Sequence, residues 1–494
     1  GSGAGGGTVA HRLAPLVAQG ARIALLEAGP HYTREVFTQR EIEMMDLLQQ
    51  GGAWPTTDGA ITMAAGKGVG GSTMLYTGVT FRLPDHVCAD WGVPGITPEE
   101  LAPRFERLEE ECSVIDPTPD MVNDNNRLFR EGCERRGYAV ESLQLNLNGC
   151  KQFGFCNLGC ASGGKQSTLE VQIPQAMAAG VELVPNCRVT QVAEGQVDAE
   201  VAPTPPGTTP GPWVPGAHRI RAKQIILAAG TPGTPGILMR SGYSDALQTL
   251  GQRVTLHPAL TVYGVYPEPI RNYRGFPKVY FTPAFSESHG YYIETAFYYP
   301  FVSTKHLGLW GEELRDLMRA YNRFMTVIIL VHDAARPENR VVLDKARAPQ
   351  VEYTLDDASI RAICHAQTSA TRIFFAAGCE KVVMPCARPK VFGPGDVPDG
   401  QLEQHIHPGH YRSISTPIAS AHLQGGCAMG EDPAASVCDA WGRVHGTHGI
   451  YVADGSLFPK SSHVNPYLTI MALAERVAEH AAAQHAGTPQ PALA

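Results

Sequence analysis

The sequence predicts an α/β chain (α+β overall): a Rossmann-like dinucleotide-binding domain together with a second domain built on an antiparallel sheet. Three observations carry that prediction. The chain opens on a Gly-x-Gly-x-x-Gly run, followed by a helical stretch and an apolar strand that ends in an acid. Two more glycine clusters lie downstream, at residues 66–73 and 230–242. From about Pro267 the composition shifts toward aromatic, strand-like segments with a long helix behind them.

Gly1, Gly3 and Gly6 of the opening Gly1-Ser2-Gly3-Ala4-Gly5-Gly6 supply the fingerprint. Lacking Cβ, they let a helix N-terminus approach a pyrophosphate. Val9, Leu13, Leu16 and Val17 recur at helical spacing over residues 8–19. Residues 21–27 read as a buried strand whose closing Glu27 would hold the ribose hydroxyls of an adenosine. No strand precedes Gly1 and no initiator Met is present, so the chain is expected to be a fragment. Residues 66–73, containing Gly66, Gly70, Gly71 and Ser72, form a small-residue loop of the kind that passes under a flat cofactor or its phosphates.

Residues 181–192 and 200–226 look like strands, interrupted at 203–216 by a Pro, Gly and Thr-rich hairpin tip. Residues 225–242 read as strand, tight turn and helix start. Aromatics crowd residues 273–310, strands are expected at 325–331 and 341–344, and helices at 356–377 and 468–485. The aromatics serve as core or as the wall of an apolar pocket.

Hydrophobic residues at 43% against 18% charged exclude a disordered or fibrous chain. The net charge of −8 argues against nucleic acid as the main partner. No window approaches the ~18 consecutive apolar residues of a membrane span. Most of the 12 cysteines are isolated, which fits a reducing, cytoplasmic compartment better than a disulfide framework.

These blocks, in this order, resemble the glucose–methanol–choline (GMC) flavin oxidoreductases along nearly the whole chain. The likeness rests on the fingerprint closing in Leu26-Glu27-Ala28-Gly29, on residues 231–242, and on residues 422–473. Within the family it is closest to long-chain alcohol oxidases and bacterial alcohol dehydrogenases, through residues 154–168, Leu256-His257-Pro258, residues 340–344 and residues 353–356. The ending also resembles cholesterol oxidase. Tyr76 stands where the first family signature usually has Asn, and the second signature ends in Tyr243-Ser244.

The resemblance implies an extended FAD and a GMC-type division into an FAD domain (1–265 and 405–494) and a substrate domain (266–404). The FAD contacts it implies are the residues already named plus Val189, Ala229, Gly230, Asp454, Gly455, Asn465, Pro466 and Leu468. It also implies a catalytic pair, with His422 taking the hydroxyl proton of an alcohol and Asn465 orienting the substrate oxygen. Histidine suits that role because it is largely neutral yet basic near pH 7. His463, two residues before Asn465, could face the same side. The reaction expected is oxidation of a lipophilic alcohol by hydride transfer, with oxygen, a quinone or a cytochrome as final acceptor. The same fold also supports hydroxynitrile-lyase-like proteins, in which the flavin is structural, and inactive flavoproteins.

Cys150, Cys156 and Cys160 lie within one Gly-rich loop. Their spacing resembles the three-iron motif of membrane-bound sugar dehydrogenases in the family, which pass electrons to cytochromes. A [3Fe-4S] cluster, inert thiols and a disulfide are all open at this point; zinc would want a fourth ligand, and none is nearby.

Overall fold

The computed structural model describes residues 1–486. Its first helix, Ala4–Leu13, begins among the glycines themselves. It gives way to a 3-10 turn at Ala14–Gln19, because Pro15 cannot donate an amide hydrogen to the preceding turn. The helix packs along the last helix, Tyr467–Ala486. Fully buried Glu475 ties the two together by accepting from Arg12 Nε at 2.5 Å, and it also accepts at 2.8 Å from Nη2 of Arg107 on the helix Pro98–Glu111.

Two pairs of short parallel strands flank the first helix. Ala24–Leu26 runs beside Glu182–Val184, and Ile225–Leu227 beside Ile450–Val452. The nucleotide-binding part is therefore drawn from the beginning, middle and end of the chain. A three-stranded antiparallel meander follows, Cys187–Ala193, Gln196–Val201 and Gly216–Arg221. Its Pro-rich tip is pinned, since Thr208–Thr209 pairs with His31–Tyr32.

The second part is a ten-stranded, mostly antiparallel sheet. Its middle strands, in spatial order, are Ile418–Ser420, Ala259–Val265, Phe324–Val331 and Tyr291–Thr295. Strands Trp54–Pro55, Ile61–Met63 and Glu141–Ser142 join it from the N-terminal third of the sequence. The strand expected at 341–344 forms instead a separate hairpin, Arg340–Leu343 with Pro349–Glu352.

One face of the sheet is covered by helices Asp124–Arg135 and Asp357–Ala377. Met325, Val327, Ile329 and Val331 point into that layer and are wholly buried with Ile363 and Phe374. Alanines at 362, 366 and 370 let the long helix lie close. Asp356 caps it by accepting from the Ser359 amide at 2.7 Å, and Gly378 ends it at φ 102°. The alternate residues, Ile328 and Leu330 with Ala259, Thr261 and Ala419 on the neighbouring strands, face a large cavity. Among the described residues no helix is long and apolar enough to cross a membrane.

Candidate active site

The cavity is about 2450 Å³ and runs from the glycine loops to the open face of the large sheet. Backbone approaches of a kind only glycine permits build its floor. A Cβ on Gly5 would lie 1.7 Å from the Ala453 carbonyl oxygen, and one on Gly6 would lie 1.8 Å from that of Gly1. Gly71, at φ 53°, brings the second loop against the first, so a Cβ there would lie 2.8 Å from the Gly3 Cα. Gly3 differs: the nearest atom to a Cβ on it is 3.9 Å away. That open space at the N-terminus of the first helix is a cradle shaped for a diphosphate.

Two buried carboxylates hold the loops in place. Glu27 Oε2 accepts from the Ser2 amide at 2.9 Å and the Ser2 hydroxyl at 2.7 Å, while Oε1 accepts from the Gly29 amide at 2.8 Å. Asp454 Oδ2 accepts from the Gly230 amide at 2.8 Å and the Thr234 hydroxyl at 2.5 Å. Its Oδ1 accepts from the Ser456 amide and hydroxyl at 2.8 and 2.5 Å. Asp454 thus locks the turn after one parallel strand to the turn after its neighbour.

Gly1, Gly3, Gly6, Glu27, Gly66, Gly71, Ser72, Val189, Ala229, Gly230, Asp454, Gly455, Asn465 and Pro466 all line the cavity, as do His422 and Tyr76. Gly70 and Leu468 do not. Gly70, at φ 97°, gives its amide to the Ser2 hydroxyl behind the loop. Leu468 lies on the core side of the last helix and is wholly buried. Tyr76 packs edge-on against Tyr467 and accepts a hydrogen bond from the Asn146 side-chain amide.

His422 follows the strand Ile418–Ser420 and reaches the cavity beside the sheet. Its Nδ1 lies 3.1 Å from Nδ1 of His257, whose Nε2 lies 2.7 Å from the Ser461 hydroxyl. Burial, with the nearby Lys278 charge, holds His422 down to about 3. Burial and the neighbouring histidines hold His257 well below the usual imidazole range. Both rings are therefore neutral near pH 7, and a single proton lies between the two Nδ1 atoms. If His422 Nδ1 carries it, His422 Nε2 is left as an acceptor and His257 Nε2–H donates to Ser461.

His257 holds a left-handed backbone, φ 45°, unusual for a residue with a side chain. Asp333 clamps it there, accepting from the Leu256 and His257 amides at 2.7 and 3.0 Å and from the Tyr353 hydroxyl at 2.6 Å. Burial pushes the Asp333 carboxyl up to about 6. His463 is not at the cavity wall; its ring stacks on His332 at 4.5 Å.

Sequence reasoning singled out His257 only as part of a Leu-His-Pro likeness and passed over Ser2, Asp333, Ser461 and Gln424, whose side-chain nitrogen lies 3.3 Å from His257 Nε2. Ser2 occupies a variable position of the fingerprint. The other three carry no local signal, because their partners come from distant segments.

Of the three readings open for the loop cysteines, the iron–sulfur cluster finds no support. Among the described residues no group of three or more His, Cys, Asp or Glu is placed to hold a metal ion. All three are free thiols. Lys165 enters the loop instead, donating to the carbonyls of Met74, Tyr76 and Cys156 at 2.8, 2.6 and 2.7 Å. Cys160 Sγ accepts from the Lys165 amide at 3.4 Å, and Cys150 Sγ from that of Gln152 at 3.3 Å.

The family models of the GMC oxidoreductases match residues 44–259 and 335–474. An uncharacterized GMC-type oxidoreductase of Mycobacterium tuberculosis is 29% identical over 99% of this chain and 76% of its own length. A long-chain-alcohol oxidase of Arabidopsis thaliana is 25% identical over 96% of this chain and 66% of its own. Paromamine 6'-oxidase of Streptomyces fradiae is 24% identical over 97% and 90%. Among solved structures, pyridoxine 4-oxidase from Mesorbium loti superposes with a TM-score of 0.71 at 16% identity, over 99% of each chain. A formate oxidase of Aspergillus oryzae whose FAD modification has been studied gives 0.70 at 15%, over 99% of this chain and 98% of its own. The fold agrees with these likenesses and the two family models together span most of the sequence: the chain belongs to the GMC oxidoreductases, enzymes acting on CH–OH donors.

Proposed function

We propose that this chain oxidises a lipophilic alcohol to an aldehyde or ketone, with His422 as the base. The observation that carries the reading is the neutral His422 imidazole at the cavity wall, backed through Nδ1 by His257. The glycine cradle, Glu27 and the Gly66–Ser72 loop fit FAD, which supplies hydride acceptance when bound.

The alcohol's hydroxyl proton passes to His422 Nε2, and the resulting imidazolium keeps its Nδ1–H directed at His257. Asn465, which lines the same cavity, donates a hydrogen bond to the substrate oxygen without adding a charge that would oppose departure of the hydride. Ala259, Ile328, Leu330 and Ala419 form an apolar roof that keeps water from the reacting carbon and suits an alkyl chain.

Anaerobic mixing of the FAD-loaded protein with medium- and long-chain 1-alkanols tests the reading. Bleaching of the visible flavin band, lost in His422→Ala, supports it. An unbleached band with every alcohol would leave the lyase-like reading in its place, and undiminished bleaching in His422→Ala would remove His422 as base. Following peroxide release against reduction of a quinone or a cytochrome then separates oxidase from dehydrogenase.

A further inference from the structure

The open face of the large sheet is mostly apolar, and among the described residues the one ion pair on it is Lys278 with Glu294. Lys278 lines the cavity, and its ammonium lies 2.6 Å from Oε2 of Glu294. Glu294 is wholly buried and Lys278 is 8% exposed. Glu294 is the one hydrogen-bond partner of Lys278 Nζ among the described residues, so two ammonium hydrogens are unused. Glu294 Oε1 is buried without any partner.

The strand register fixes where this pair stands relative to His422. Ala419, three residues before His422, pairs with Ala259, and Ala259 pairs with Leu330. Two residues along, Thr261 pairs with Ile328 and Ile328 with Glu294. All these residues share one side of the sheet, and all but Glu294, which is buried beside Lys278, line the cavity. Glu294 is thus three strand steps from the His422 strand, roughly 14 Å backbone to backbone. The long Lys278 side chain shortens that gap, and its charge is among the causes that hold His422 low.

A buried ion pair costs more than apolar residues of the same size unless its remaining hydrogen-bonding capacity is filled. Here an ammonium donor and a carboxylate acceptor are left open side by side in a pair with no net charge. An anion would be repelled by Glu294 and would leave Oε1 unmet. A hydroxyl meets both, accepting from Lys278 and donating to Glu294 Oε1.

Resting on the alcohol-oxidising reading above, we propose that the preferred substrate is a diol: one hydroxyl reacts at His422, an apolar middle lies along Ile328 and Leu330, and a second hydroxyl is held by Lys278 and Glu294. The test compares kcat/KM for a ladder of α,ω-alkanediols with 1-alkanols of equal chain length on the FAD-loaded protein. The best diol is expected to exceed its matched alkanol by about tenfold or more, the worth of a hydrogen bond to a charged group.

Lys278→Met combined with Glu294→Leu removes both charges together, leaving neither buried alone, and should bring the ratio toward one. Glu294→Gln, close in shape, is the second variant and should lower the ratio in the same direction. A wild-type ratio near one would mean that water fills the pair, and it overturns the proposal, as does a diol preference that survives in the variants. If alkanols and diols both leave the flavin oxidised, the functional reading itself has failed and the diol site falls with it.

Discussion

Gly3 and Gly5 are two residues apart in one fingerprint, yet the structure gives them different work. Gly3 has φ −65° and ψ −163°, open to any residue, and a Cβ on it would meet nothing nearer than 3.9 Å. In cofactor-free protein, Gly3→Ala should therefore be neutral or stabilising by ~0.4–1 kcal/mol, through the unfolded chain. The added methyl would stand in the cradle at the helix N-terminus, and overpacking there should weaken FAD binding by ~1–3 kcal/mol, roughly ten- to a hundredfold in Kd. Gly5→Ala reverses the pattern. Its Cβ would fall 1.7 Å from the Ala453 carbonyl oxygen, forcing the first helix off the C-terminal strand turn. The cofactor-free protein should then lose ~1–3 kcal/mol or more. Thermal denaturation without FAD, followed by titration of FAD fluorescence, separates the two variants. Wild-type FAD affinity in Gly3→Ala, or unimpaired stability in Gly5→Ala, would refute this division of labour.

Asparagine tolerates the left-handed backbone of His257, so His257→Asn should fold while breaking the path to Ser461. A roughly tenfold or larger fall in kcat, little change in KM and a displaced acid limb of the pH–rate profile are expected; an unchanged profile would show that His257 does not set the His422 tautomer. Lys165→Met strands three carbonyls that the buried ammonium now satisfies, and chemical denaturation should register a loss of ~2–4 kcal/mol. Stability of the cofactor-free protein should also fall on acidification. His306, His332 and His422 are held at about 3 against an ordinary 6.5, so the unfolded chain takes up protons first as the pH drops. Their contribution is complete above about 6.5 and is lost toward 3, at up to ~1.4 kcal/mol per pH unit for each group. Asp333, raised to about 6, acts in the opposite sense and stabilises on the acid side, offsetting one histidine between about 6 and 4. The urea midpoint should be lower at pH 5 than at pH 7, and a higher one would contradict a neutral histidine cluster.

What could be read in the sequence depended on how local each signal was. The fingerprint, Glu27 and the long helix Asp357–Ala377 are written within a few turns of chain, where spacing alone specifies them. The expected helix at 8–19 shows the limit. Glycines at 5, 6 and 7 have low helix propensity, yet contacts with the last helix and the Ala453 turn draw the observed helix back to Ala4. The His422 site was legible only through a resemblance to a known family. Its support was not, because His257, Asp333 and Ser461 come from segments 76 to 204 residues apart that meet only when the large sheet closes on the nucleotide-binding part. The cysteine loop shows the opposite case: its tight spacing left convergence of the thiols open, while Lys165, which ties three carbonyls together there, had no pattern to announce it.

The electrostatics of the site follow from one constraint. His422 and His257 are in direct contact, and His332 and His463 stack beside them. Were several of these rings protonated together, their mutual repulsion in a largely buried cluster would be costly. Burial resolves this by keeping the group neutral. Neutrality also leaves one imidazole free to accept a proton, and the cluster has then to accommodate only a single positive charge. The same logic explains the company Lys278 keeps. An unpaired ammonium near His422 would oppose protonation of the base. Glu294, 2.6 Å away, pairs with that charge while leaving the lysine's spare hydrogens available to a ligand, although the lysine still adds to burial in holding His422 low. Around His422 the histidines and the Lys278–Glu294 pair thus offer hydrogen-bonding capacity with little net charge, which suits an uncharged alcohol.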